Sequence, residues 1–196
     1  MVSSDAPARA RTWPEQGQWT YEDWLDLPDD GFKYEVIDGE LHVTPAPSTA
    51  HQHVSARLHV AMANFVDARA LGHVLAAPVG VRLPGQAVPL QPDLVFVPAA
   101  RSDMIGPQHI DGVPDLLVEI LSPSNWPFDR RDKLQAYQAG GVPEYWLVDY
   151  RAKTIEVLVL ERGEYTLLGV WRSGETARSR VLESFEVAVD EVFRDV

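Results

Sequence analysis

Two runs, Leu94-Val95-Phe96-Val97 and Leu116-Leu117-Val118-Glu119-Ile120-Leu121, are apolar at odd and even positions alike. Side chains alternate faces along a strand, so such runs predict strands covered on both sides by helices. Alternation around Asp38-Gly39 predicts a hairpin of Lys33–Ile37 and Glu40–Val43, with Tyr34, Val36, Leu41 and Val43 on one face and Glu35, Ile37, Glu40 and His42 on the other. Thr20 can cap a helix from Tyr21 to Leu27, ended by Pro28. Ser48 or Thr49 can cap the longest helix, which runs to about Ala70 and has Val54, Leu58, Ala61 and Phe65 as its buried stripe. His73 to Leu83 reads as one strand, Gly85 to Leu90 as its turn and Gln91 to Val97 as its antiparallel partner. The Ser, Asp, Gly and Pro of Pro98 to Pro114 predict a surface link. A helix from Asp129 to Ala139 is stopped by Gly140-Gly141, and a buried strand follows at Glu144 to Val148. Strands at 154–161 and 164–171 turn through Arg162-Gly163, and Val189 to Phe193 folds back on the sheet. Residues 1 to 18 read as a flexible tail and 19 to 196 as a single domain.

Each apolar run carries one carboxylate. Asp93 opens the first and shares a face with Val95 and Val97; Glu119 lies inside the second with Leu117 and Leu121. A charge inside a hydrophobic strand is destabilising unless a cation compensates it. Two of them on successive strands point to a shared cation, and a hard divalent ion favours oxygen ligands and keeps several waters. Magnesium is expected, with manganese as an alternative, held by Asp93 and Glu119. Lys133, four residues before Tyr137 on one helix face, can reach the same place and would orient or deprotonate a water, or neutralise charge developing on a phosphate. Glu35 is a minor candidate. His51 shares the stripe of Leu58 and weighs more as a packing or capping residue than a functional one, and the pair His51 and His53 lacks the spacing of a helical zinc site. Asp115 rivals Asp93 for the metal, although its place at a strand start suits a turn role better. The apolar stretch Asn125-Trp126-Pro127-Phe128 reads as a loop plugged into the core rather than a base-stacking surface.

Composition narrows the classes. A net charge of −12 opposes indiscriminate binding to polyanions, so any contact with nucleic acid must be local. The cluster Arg130, Arg131 and Lys133 is the expected basic patch. There is no cysteine, hence no disulfide or thiolate chemistry. The first residues lack the apolar core of a signal peptide, and no run reaches the length of a membrane span. The expectation is a cytoplasmic protein that makes no membrane contact.

The order strand-Asp, strand-Glu, helix-Lys resembles the PD-(D/E)XK nuclease core. Several stretches narrow the resemblance to the Uma-type restriction endonuclease family. These are Tyr34 through Leu41, Ser48 through His51, Gln91 through Leu94, Pro114 through Ser124, Lys133-Leu134, and Gly141 through Asp149. That resemblance spans roughly residues 20 to 193. It implies an α/β fold with a restriction-endonuclease-like αβββαβ core: a mixed central sheet flanked by helices, with an N-terminal β-hairpin and C-terminal β additions. The wider superfamily places its lysine two residues after the glutamate, where this chain has Leu121, so activity here requires a relocated cation, and Lys133 is the one expected. The implied activity is magnesium-dependent cleavage of DNA. Asp93, Glu119, Lys133, Glu35 and His51 would form the site, and a homodimer is expected by analogy with enzymes that cut both strands. The competing reading is a catalytically silent module with a nuclease fold that binds nucleic acid or protein.

Overall fold

The computed structural model describes residues 13–28, 30–86, 88–122 and 128–196. Its elements are α1 (Tyr21–Leu25), β1 (Lys33–Ile37), β2 (Glu40–Thr44), α2 (Thr49–Asp67), β3 (Gly72–Ala76), β4 (Gly80–Arg82), β5 (Leu94–Pro98), β6 (His109–Asp111), β7 (Leu116–Leu121), α3 (Leu134–Ala139), β8 (Glu144–Asp149), β9 (Thr154–Glu161), β10 (Glu164–Trp171), β11 (Thr176–Arg178), β12 (Glu186–Ala188) and α4 (Val189–Val192). Six strands form one sheet in the order β10-β9-β8-β7-β5-β3. Only β7 and β8 pair in parallel within it, joined by the crossover through α3, so the sheet is mixed. Taken in chain order, α2, β3, β5, β7, α3 and β8 give the αβββαβ core, with the β1–β2 hairpin before it and β9 to β12 after it.

The two faces of this sheet bury two different sets of side chains. On one, Val54, Leu58, Met62 and Val66 of α2 meet Leu94, Phe96, Leu116, Val118, Trp146 and Val148, and α4 adds Val189 and Val192. Full burial of each such α2 side chain stabilises by about 1.5–3 kcal/mol. The stripe runs in steps of four, so Ala61 and Phe65 take its flank and Phe65 packs edge-on to Phe185 at 5.2 Å. On the other face, Val95, Val97, Leu117, Leu121, Tyr145 and Leu147 are covered by Tyr137 and Ala136 of α3, Ile37 of β1, Val81 of β4 and Ile110 of β6. Both covers therefore combine helices with short strands, α2 and α4 with β11 and β12 on the first face and α3 with β1, β4 and β6 on the second.

Three local readings change. The stretch expected as one strand from His73 to Leu83 breaks at Ala77-Pro78. Proline has no N–H to continue the ladder, and the chain leaves the sheet so that β4 pairs in parallel with β6. The segment from Pro98 to Pro114 is more than a surface link, because it contributes β6 and fully buries Ile110. Residues 13–18 of the expected loose tail lie on the hairpin: the N–H groups of Gly17 and Trp19 both donate to the Gly39 carbonyl, at 2.9 and 3.0 Å, and the Gln16 amide pairs with the Leu41 backbone in both directions. The Asn125-Trp126-Pro127 part of the apolar loop lies outside the described residues.

Candidate nuclease site

Register brings the two strand carboxylates together. Leu94 pairs with Val118 and Val95 with Leu117 across the antiparallel β5–β7 ladder, so one further step sets Asp93 opposite Glu119. The Asp93 N–H donates to the Val118 carbonyl at 3.0 Å, and the Ile120 N–H donates to Asp93 Oδ2 at 2.7 Å. The aspartate side chain thus replaces a main-chain acceptor at the strand end. Both residues are buried, 7 % and 2 % exposed, and both line a cleft of about 490 Å³ together with Lys33, Ser48, His51 and Gln91.

Lys133 arrives from below. A wide π-type turn, Phe128–Lys133, leads into α3 and directs the lysine under the sheet. Its Nζ donates to Glu119 Oε1 at 2.8 Å and lies 3.1 Å from Glu35 Oε2, with none of the side chain exposed. Tyr137, one turn on, donates its hydroxyl to the same Glu119 oxygen at 2.6 Å. Glu35 reaches the cluster from β1, where it is 1 % exposed and accepts the Gln91 N–H at 2.8 Å. His51, in the first turn of α2, has its own N–H capped by Ser48, and its Nε2 lies 3.2 Å from Asp93 Oδ2. All five expected residues therefore meet, Glu35 and His51 included.

The charges are mutually dependent. Burial by itself would raise the Asp93 carboxyl, but the His51 hydrogen bond and the charges of Lys33 and Lys133 hold it at about 2. Glu35 behaves alike: burial pushes it up, and Lys133, Lys33 and the Gln91 N–H bring it below the ordinary carboxylate range. Three buried carboxylates face two ammonium groups, which leaves one surplus negative charge before His51 is counted.

Other candidates fall away from the cleft. Asp115 pairs with Arg101 and donates its N–H to the Phe96 carbonyl at the start of β7, consistent with a turn role. His53 is exposed on α2. The expected basic patch does not form as one surface, because Lys133 is buried, Arg130 pairs with Glu156 at 2.6 Å and Arg131 with Asp132 at 2.7 Å. Sequence reasoning passed over Lys33. The signal was there, since Lys33, Glu35 and Ile37 share one face of β1.

The family model described as "putative restriction endonuclease", Uma2, matches residues 21–190. The chain belongs to the Uma2 family. A search of curated proteins finds no match. Among solved structures, this Uma2 chain is similar to a protein titled a putative nuclease belonging to DUF820, from Anabaena variabilis. The two superpose with a TM-score of 0.73 at 17% identity, over 89% of this chain and 97% of that one. At that identity the likeness establishes the fold, and family membership supports a nuclease. Among the described residues no helix is long and apolar enough to cross a membrane.

Proposed function

We propose that this protein is a cytoplasmic, magnesium-dependent endonuclease that hydrolyses phosphodiester bonds in DNA. The observation that carries the reading is the meeting of Asp93 and Glu119 at the wall of one cleft, with the buried Lys133 ammonium behind Glu119. The donor set suits a hard divalent ion. Two carboxylates offer hard oxygen donors, and Asp93 Oδ1 carries no hydrogen bond among the described residues. No three acidic, histidine or cysteine side chains form a ligand cluster among those residues, so an ion would be held by Asp93, Glu119 and water. When bound it would supply polarisation of a phosphoryl oxygen and easier deprotonation of water.

The protein's own groups prepare that site. Lys133 and Tyr137 fix one oxygen of Glu119, Glu35 shares the lysine's charge, and His51 with the Ile120 N–H fixes Asp93. These side chains act by positioning, because preorganised charge needs no rearrangement during reaction. In the reaction a water oxygen bonds to phosphorus and the bond from phosphorus to the departing sugar oxygen breaks. The water loses one proton and the departing oxygen gains one.

Incubating supercoiled plasmid and magnesium with the wild type and with Asp93→Ala tests the assignment. The wild type is expected to nick the plasmid and the variant to lose about 100-fold or more of that rate; equal nicking by both would reject the site. A panel of small phosphodiesters under the same conditions separates a DNA enzyme from a general phosphoesterase. Cutting both strands of a duplex calls for two clefts, which supports a homodimer as the working form.

A further inference from the structure

We propose, resting on the nuclease reading above, that Lys33 is the substrate-binding cation of the cleft, its ammonium group pairing with a non-bridging oxygen of the DNA backbone phosphate. Two lysines stand beside the same carboxylates and differ in what they can reach. Lys133 is wholly buried and is absent from the residues lining the cleft. Its ammonium bridges Glu35 and Glu119, so turning it toward a ligand would take the lysine charge from two buried carboxylates at once. Lys33 lines the cleft, keeps 22% of its side chain exposed and meets Glu35 Oε2 at 3.3 Å. If it turns away, Glu35 retains Lys133 at 3.1 Å and the Gln91 N–H at 2.8 Å. The half-buried lysine is therefore the one that can be spared.

The need for such a cation follows from the rest of the molecule. The chain carries a net charge of −12, and three buried carboxylates stand around the cleft. A phosphate approaching it is repelled until a positive group meets it. Arg130 and Arg131 are engaged with Glu156 and Asp132. Lys33 and Asp93 line the same cleft, so a phosphate held over the aspartate lies on the wall that carries this ammonium.

The test is fluorescence anisotropy with a short fluorescein-labelled DNA duplex, calcium replacing magnesium, across a potassium chloride series. Wild type, Lys33→Ala and Lys33→Arg are compared, and each is also assayed for plasmid nicking in magnesium beside Glu119→Gln. Lys33→Ala is expected to weaken binding about 10-fold and to lower the slope of log affinity against log salt by about one; Lys33→Arg is expected to restore that slope. A merely structural Lys33 would shift thermal stability and leave the slope untouched, since the slope does not depend on how much protein is folded. An unchanged slope in Lys33→Ala, with nicking lost in Glu119→Gln, would overturn the role of Lys33 and leave the nuclease reading standing. Wild type that binds but does not nick would refute the enzyme and still test Lys33 through the slope. Wild type that does not bind the duplex would overturn both.

Discussion

An ammonium group with none of its side chain exposed must find carboxylates within hydrogen-bond reach, and Lys133 has two. Removing the cation alone takes the ammonium at 2.8 Å from Glu119 and leaves Glu35 to Lys33 at 3.3 Å and the Gln91 N–H, which costs far more than the loss of a surface ion pair. Lys133→Met is therefore expected to destabilise the protein by about 3–5 kcal/mol in urea denaturation. Combining it with Glu35→Gln and Glu119→Gln should recover much of that loss. Equal destabilisation in the single and triple variants would mean that packing, not charge, dominates there. Acid sensitivity follows from the neighbouring aspartate. Asp93 ionises at about 2 in the folded protein against an ordinary 3.8, so between those values the unfolded chain binds more protons. Its share of stability is complete above about pH 4 and is lost as pH falls toward 2. Asp93→Asn should flatten that part of the stability profile, as measured by denaturation at a series of acidic pH values.

At the scale of elements, a fourth buried carboxylate shows how the C-terminal additions are attached. Glu144 of β8 is fully buried, and it accepts the Trp146 indole N–H at 2.6 Å and the Arg180 and Val181 N–H groups at 2.7 and 2.9 Å. Glu144→Ala removes three donors' partner at once, so a loss of about 3 kcal/mol is expected. It should come with faster amide exchange at Arg180 and Val181 and unchanged exchange in α2. Gly39 has a comparable part in the hairpin. Its φ of +77° suits the two-residue turn, and an added Cβ would come within 2.5 Å of the Gly17 carbonyl oxygen docked there. The core strands and this turn were legible in the sequence because unbroken apolar runs and Asp-Gly chemistry act locally. So was the shared face of Lys133 and Tyr137, from their spacing alone. The β4–β6 pair was not, because each strand has three residues and too few apolar positions to show a period. Lys33 was visible only as a parity partner of Glu35, and its importance comes from a cleft that the sequence does not outline.

For the whole molecule, the sheet order explains why one site forms here. The β5–β7 ladder sets the two strand carboxylates opposite each other, the crossover through α3 carries Lys133 beneath them, and the hairpin and the start of α2 bring Glu35 and His51 to the same end. That convergence was legible as a pair of misfit charges, although the contributions of Glu35 and His51 depended on elements distant in sequence. The strongly acidic balance of the chain makes binding a cation at this place the central requirement of the account. Calorimetric titration of manganese into wild type and Glu119→Gln measures it most directly. The account predicts a saturable heat with the wild type and loss of that heat with Glu119→Gln, both proteins remaining folded. Identical manganese binding by the two would contradict it.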